Sequence, residues 1–185
     1  MSTLEIIAVL FTFICVALTA RQNIWCWPTG IVGVIAFFLV FLEQKLYAET
    51  TLQVIFLLQS LYGWYNWVKG RDSKDLPVSS RSLSGFGLDV AFVLLLAVGF
   101  GYLLDNNTDT TQPYLDATTA CISLLANWYL VKKRLQAWIL WIAVDILLMV
   151  MFINQGLNLS AILYVVLLGF STHALILWKR DLKTA

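Results

Sequence analysis

Apolar runs of about twenty residues recur seven times along this chain of 185 residues, and no motif constrains the fold as much as that repetition. Spanning a bilayer takes a helix of ~20 mainly apolar residues, since inside hydrocarbon every backbone N–H and C=O must be paired within the chain. The runs are 4–20, 24–42, 47–69, 86–104, 113–131, 136–153 and 158–178. Seven spans use about 140 positions, which leaves no room for a separate soluble catalytic or nucleotide-binding domain. The hydrophobic fraction of 60%, against roughly 45–50% for a soluble domain, agrees. With 12% charged residues and a net charge of +1, the chain offers no bulk field for nucleic acid, and no such partner is expected. The first run carries Glu5 and no Lys or Arg, and no small-residue cleavage pattern follows it, so it is expected to be a retained helix.

Lys and Arg near helix ends favour the cytoplasmic side. With the N-terminus outside, Arg21, then Lys69, Arg71, Lys74 and Arg81, then Lys132, Lys133 and Arg134, then Lys179, Arg180 and Lys183 all fall inside. These are eleven of the twelve basic residues; only Lys45 falls outside, and the outer loop around Asp105 and Asp109 has none. Removing any one span would scatter the clusters over both faces. The expectation is therefore seven spans with a cytoplasmic C-terminus, and the polar, Ser-rich stretch 70–85 as a cytoplasmic linker.

Sliding the chain by 111 lays residues 5–69 on 116–180 without a gap. Eleven of these 65 pairs are identical, among them Trp27 with Trp138, Phe41 with Phe152, Gln44 with Gln155, Leu52 with Leu163 and Trp67 with Trp178. Arg21 falls on Lys132 and Lys69 on Arg180. Two three-helix units joined by one span share an orientation, so the repeat is parallel, with its axis along the membrane normal, as in the SWEET sugar exporters. The expected fold is an all-α integral membrane protein of seven transmembrane helices in a 3+1+3 arrangement. A first repeat occupies 1–69, a cytoplasmic linker loop and connecting helix 70–112, and a second repeat with a short cytoplasmic tail 113–185. The connecting helix is free of polar residues from Val90 to Gly99, has no repeat partner, and should pack on lipid.

Polar side chains inside hydrocarbon cost a few kcal/mol unless they find a partner or water, so each needs a reason. Asp145 lies ~13 Å into the sixth span and shares a stripe with Trp138 and Trp141 at i, i+3 and i+7. His173, the only histidine, lies at comparable depth on the seventh. Gln59, Tyr62 and Asn66 form another stripe on the third span, Ser123 and Asn127 stand one turn apart on the fifth, and Trp64 shares the polar surroundings of the third. The repeat pairs Val34 with Asp145, Gln59 with Phe170 and Tyr62 with His173, so equivalent positions carry different chemistry. Such halves enclose an asymmetric pocket, and a carboxylate beside indole faces suits an organic cation. The structural alternative is an interhelical hydrogen bond between Asp145 and His173.

Trp25, Trp27, Trp67, Trp128 and Trp178 fall near span ends, where interface anchoring is the default. Gly30 and Gly33 suit close packing, and Pro28 suits a first helical turn. Cys15, Cys26 and Cys121 lie in apolar runs without paired spacing and read as small core or lipid-facing residues. Glu49 and Asp116, near outer helix ends, read as solvated. No nucleotide loop, paired catalytic carboxylates or metal-ligand spacing occurs in the sequence, and no cofactor is expected.

These features meet in one family. The run 46–67, with Leu46-Tyr47, Leu52-Gln53-Val54 and Tyr62-Gly63-Trp64-Tyr65-Asn66-Trp67, resembles the PnuC family of bacterial vitamin-precursor transporters. So does Trp138-Ile139-Leu140-Trp141 with Asp145 four residues on, then Gly156-Leu157 and Tyr164. The resemblance covers about 17–180. It implies a non-enzymatic 3+1+3 transporter of the bacterial cell (inner) membrane that takes up nicotinamide riboside by facilitated diffusion for NAD synthesis. A cytosolic kinase partner would trap the entering substrate. Relatives of the fold carry thiamine, riboflavin or deoxynucleosides. Carriers of nicotinamide riboside commonly have Asn where this chain has Asp145 and His173. Nicotinamide riboside and thiamine are both permanent cations, so thiamine is the second reading. The sequence leaves a homo-oligomer open. A membrane-embedded enzyme would need a fuller reactive constellation than one Asp and one His, and a retinal-type sensor a lysine within 163–177, which has none.

The orientation is directly testable. A cysteine replacing Ser79 should resist a membrane-impermeant thiol reagent in intact cells and one replacing Thr108 should react; the reverse pattern would overturn the topology and the parallel repeat with it.

Overall fold

A computed structural model describes residues 3–44, 46–73, 76–156 and 158–184, so Lys45, Lys74 and Leu157 of the preceding reading lie outside the described residues. Seven helices lie within them: α1 (Thr3–Ala20), α2 (Cys26–Glu43), α3 (Tyr47–Ser73), α4 (Leu83–Asn107), α5 (Pro113–Val131), α6 (Gln136–Asn154) and α7 (Asn158–Thr184). The fifth apolar run coincides with α5, whereas α3 runs on to Ser73 and α4 starts at Leu83, which shortens the expected 70–85 linker. An apolar run ends at its first charge, but a helix continues while its i to i−4 bonds close.

Among the described residues α1, α2, α4, α6 and the Ser160–Leu182 stretch of α7 are long and apolar enough to cross a membrane. The two less apolar helices, α3 and α5, pack against each other. Their polar side chains thereby meet across a helix contact. Each half is built from sequential neighbours, α1 on α2 on α3 and α5 on α6 on α7; two seams join the halves, α3 on α5 and α7 on α1. The 111-residue shift exchanges these seams. The long contact of α4 is with α5, where a Cβ added at Gly101 would lie 2.6 Å from the Tyr114 ring. Its other face leaves Leu88, Leu95 and Tyr102 exposed.

The turns that end α1 and α5 share four backbone hydrogen bonds at equivalent positions. Gln22 N–H donates to Thr19 O, Asn23 to Leu18, Cys26 to Asn23 and Trp27 to Ile24. In the second turn Lys133 donates to Leu130, Arg134 to Tyr129, Ala137 to Arg134 and Trp138 to Leu135, each residue 111 further along. Gln22 (φ 53°) and Lys133 (φ 47°) are the non-glycine residues with left-handed backbone among those described. The strain of a side chain there, of order 1 kcal/mol, is accepted twice at equivalent positions.

Four buried tryptophans close the end of the bundle where the basic residues lie. Trp27 meets Trp67 edge-on with ring centroids 5.3 Å apart, and Trp138 meets Trp178 edge-on at 5.6 Å. Trp67 and Trp178 touch across the halves at 6.4 Å. The indole N–H of Trp67 donates to Leu130 O on α5 and that of Trp178 to Ala20 O on α1, both 3.2 Å. The expectation of interface anchoring therefore fails for Trp27, Trp67 and Trp178, because burial against one another removes them from the headgroup layer. It remains open to Trp25, which is 64% exposed, and to Trp128.

Gly30 and Gly33 do pack closely, on Cys15 and on Thr12 and the Ala8 carbonyl. Gly63 is tighter: an added Cβ would sit 2.2 Å from the ring of Trp27. Gly63→Ala should therefore cost about 1–3 kcal/mol, while Gly99→Ala, with open space beside it, should cost nothing and gain up to ~1 kcal/mol of helix propensity. Equal melting temperatures of the two variants in detergent would contradict the tryptophan packing.

Candidate functional site

On α3, Ser60, Gly63 and Trp67 form the buried stripe, and α7 buries Ser171, Ala174 and Trp178 at the equivalent positions. Gln59, Tyr62 and Asn66 precede that stripe by one residue, or about 100° around the helix, and turn toward α5. Asn127 Nδ2 donates to Gln59 Oε1 at 2.9 Å, and Gln59 Nε2 to Leu124 O at 3.2 Å. Asn66 Nδ2 donates to Val131 O at 2.8 Å, satisfying a terminal carbonyl of α5 beside the one Trp67 serves. The ring of Tyr62 stacks on Trp128 at 5.6 Å, with Lys132 Nζ 4.9 Å from the centre of Trp128 and 3.2 Å from the Tyr62 hydroxyl. The third-span stripe and Asn127 thus belong to one polar seam.

The other seam is different in kind. Leu124 and Gln59 are replaced, 111 residues away, by Phe13 and Phe170, whose rings meet at 6.1 Å. Midway along these junctions amide hydrogen bonds join α3 to α5 and aromatic contact joins α7 to α1, while at the basic end both carry an indole-to-carbonyl bond, Trp67 to Leu130 and Trp178 to Ala20.

On α6, Trp138 and Asp145 are 2% and 3% exposed, and Trp141 is half-buried against the core. Ser171 Oγ donates to Asp145 Oδ2 at 2.9 Å across the α6–α7 contact. The expected partner His173 is exposed and forms no hydrogen bond or ion pair among the described residues. The cause is helical: residues two apart do not share a face, so a chain that aims Ser171 at Asp145 aims His173 elsewhere. Trp64 is likewise 39% exposed and stands apart from the buried stripe. The structure thus brings together Gln59 with Asn127, and Trp138 with the tryptophan cluster, but neither His173 nor Trp64 with Asp145.

Two features escaped the sequence reading. Ser171 is the repeat mate of Ser60, one of the identical pairs, and that identity was its available signal. Trp27 carries, like its mate Trp138, a buried indole N–H that has no acceptor among the described residues. A pair of orphan donors at equivalent positions on the two halves is an unmet demand for an acceptor, since each costs about 1–3 kcal/mol while unpaired.

Residues 2–180 match the family model described as nicotinamide mononucleotide transporter. The chain belongs to that family. It is a membrane transporter, embedded through its apolar helices, rather than an enzyme. Among its relatives, the nicotinamide riboside transporter PnuC of Escherichia coli is 21% identical over 204 residues, covering 96% of this chain and 85% of the relative. The riboflavin/roseoflavin transporter RibM of Streptomyces davaonensis is 25% identical over 169 residues, covering 89% and 76%. A crystal structure of the vitamin B3 transporter PnuC superimposes with a TM-score of 0.79 at 21% identity, covering 98% of this chain and 82% of that one. This likeness identifies the fold of the transporter.

The polar seam makes a specific demand on stability. Gln59→Phe alone, or Asn127→Val alone, should each lower stability by about 1 kcal/mol, because each strands a half-buried amide. The double variant copies the chemistry of the α1–α7 seam and should recover part of that loss in a double-mutant cycle on melting temperature. Strictly additive losses would show that the two amides are not coupled.

Proposed function

We propose that the chain takes up nicotinamide riboside by facilitated diffusion, and that the observation carrying this reading is the buried carboxylate of Asp145 on the tryptophan stripe of α6. The family description and the PnuC relatives point to a pyridine vitamin, whereas RibM is named for riboflavin, and the riboside is a pyridinium cation. A carboxylate withdrawn from water beside indole faces favours such a cation and disfavours the phosphate of the mononucleotide. Trp138 and Trp141 stack on the ring in this reading, and the unpartnered N–H of Trp138 supplies a donor to the sugar. Gln59, Tyr62, Asn66 and Asn127 hold the seam through which the halves move. His173 and Trp64, exposed in this conformation, take part only in another. Thiamine is the second reading, favoured by the same carboxylate, which pairs equally well with a thiazolium.

The architecture in this proposal is the 3+1+3 parallel repeat, supported by the matched turns and the exchanged seams, with the basic end cytoplasmic in the bacterial inner membrane. The N-terminus is then outside. A cytosolic kinase that phosphorylates the riboside makes a downhill carrier accumulate its product.

Replacing Asp145 with Asn keeps its size and removes its charge. Affinity for nicotinamide riboside should fall 10- to 150-fold, about 1.5–3 kcal/mol, with the melting temperature near that of the parent. Ser171→Ala, which spares the charge, should change affinity by about threefold or less. If Asp145 only ties α6 to α7, both variants will lower the melting temperature and leave affinity unchanged. Counterflow in sealed vesicles should also proceed at one rate with and without a proton or sodium gradient. Accumulation above the outside concentration without a kinase would contradict facilitated diffusion.

A further inference from the structure

At the basic end, a groove of 480 Å³ opens between α4 and α5 and borders the α3–α5 seam at Trp128 and Lys132. Its mouth is lined by Arg81, Lys132 and Arg134, and its deeper part by Phe92, Val93 and Leu125. From Lys132 to Leu125 is seven residues of α5, so the groove descends ~10 Å toward the membrane interior as it passes from charged to apolar. Asp89 is the acidic residue of the lining, and it is already occupied. Arg81 Nε lies 2.7 Å from it in an ion pair, and the Tyr129 hydroxyl donates to the same carboxylate. Two cations remain. Lys132 and Arg134 are half-buried, and neither has a carboxylate partner among the described residues. Both are held over aromatic faces, Lys132 over Trp128 and Tyr62 and Arg134 5.2 Å from the centre of Tyr129.

We propose that this groove is a binding site for an anionic phospholipid, with the phosphate between Lys132 and Arg134 and an acyl chain along Phe92, Val93 and Leu125. The charge pattern argues for the lipid rather than a free anion: a phosphate alone would leave the apolar floor uncovered. A zwitterionic lipid would satisfy the floor but bring its own cation to a mouth that is already positive. Basic pockets between transmembrane helices at the cytoplasmic surface suit anionic headgroups for these reasons. The site exists on one side only. The equivalents of Trp128, Lys132 and Arg134 are Ala17, Arg21 and Asn23, so the indole platform and one of the two cations are missing there, and among the described residues no helix covers α1 as α4 covers α5. Its occupant would brace the connecting helix and the Arg81–Asp89–Tyr129 network against α5. The proposal rests on the basic end lying at headgroup level, not on the identity of the transported substrate.

The test is native mass spectrometry and thermal unfolding of the purified full chain with phosphatidylglycerol, phosphatidylcholine or inorganic phosphate. Phosphatidylglycerol should remain bound at one copy per chain and raise the melting temperature by about 5 °C. The other two should do neither. The double variant K132Q/R134Q should bind phosphatidylglycerol about tenfold or more weakly, whereas K69Q/K179Q, which removes two charges from the same end outside the groove, should bind as the parent does. Equal retention of phosphatidylcholine, equal protection by inorganic phosphate, or equal loss in both double variants would each overturn the site. Should K132Q/R134Q fold poorly, Phe92→Glu provides a second reading: it places a carboxylate on the apolar floor and should abolish the phosphatidylglycerol shift, and an undiminished shift would overturn the proposal.

Discussion

A helix that ends among other helices leaves its last carbonyls with no water to bind, and two tryptophans answer that demand here. Trp67 reaches from α3 to the end of α5, and Trp178 from α7 to the end of α1. Each bond crosses from one half of the molecule to the other, so satisfying a helix terminus and joining the halves are one event. The rest of the packing follows. Trp27 and Trp138 sit edge-on against these two rings, and Gly63 is forced to stay without a side chain so that Trp27 can lie against α3. In the second half a smaller demand is met by Ala174, which is fully buried at the equivalent place. Van der Waals contact and hydrogen bonding carry this association, since hydrocarbon supplies no hydrophobic force between helices.

The two seams share a geometry and differ in chemistry. Amides of Gln59 and Asn127 join α3 to α5, while phenylalanine rings join α1 to α7. The two junctions are thus chemically unequal around the same tryptophan layer. The covering helix adds to the imbalance, because α4 buries α5 and leaves its counterpart α1 exposed at Ile6, Leu10 and Ile14.

Much of this was legible in the amino-acid order. Seven apolar runs correspond to seven helices with ends that agree to within about six residues, since length and hydrophobicity are local properties. The 111-residue shift marks the tryptophan pairs without reference to any contact. What the order hid was direction around each helix. Gln59, Tyr62 and Asn66 share a stripe in the sequence, but the face they turn to is set by Ser60, Gly63 and Trp67, one residue on, which point inward and leave them on the α3–α5 seam. His173 looked like the partner of Asp145, until Ser171 took that place on the opposite side of the same helix. Trp27, Trp67 and Trp178 looked like interface anchors, because a position near a span end says nothing about which neighbour covers it. A one-residue rotation separates these readings, and only packing fixes it.

In the proposed function a buried acid and unpartnered indole donors select a cationic riboside. Equilibrium binding of the purified chain to nicotinamide riboside, its 5′-phosphorylated form, thiamine and riboflavin, measured in parallel, tests this most directly. Nicotinamide riboside should bind tightest, with the phosphorylated form at least about tenfold weaker, a difference of ~1.4 kcal/mol that follows from placing its phosphate near a buried carboxylate. Tightest binding of riboflavin or of the phosphorylated form would contradict the account.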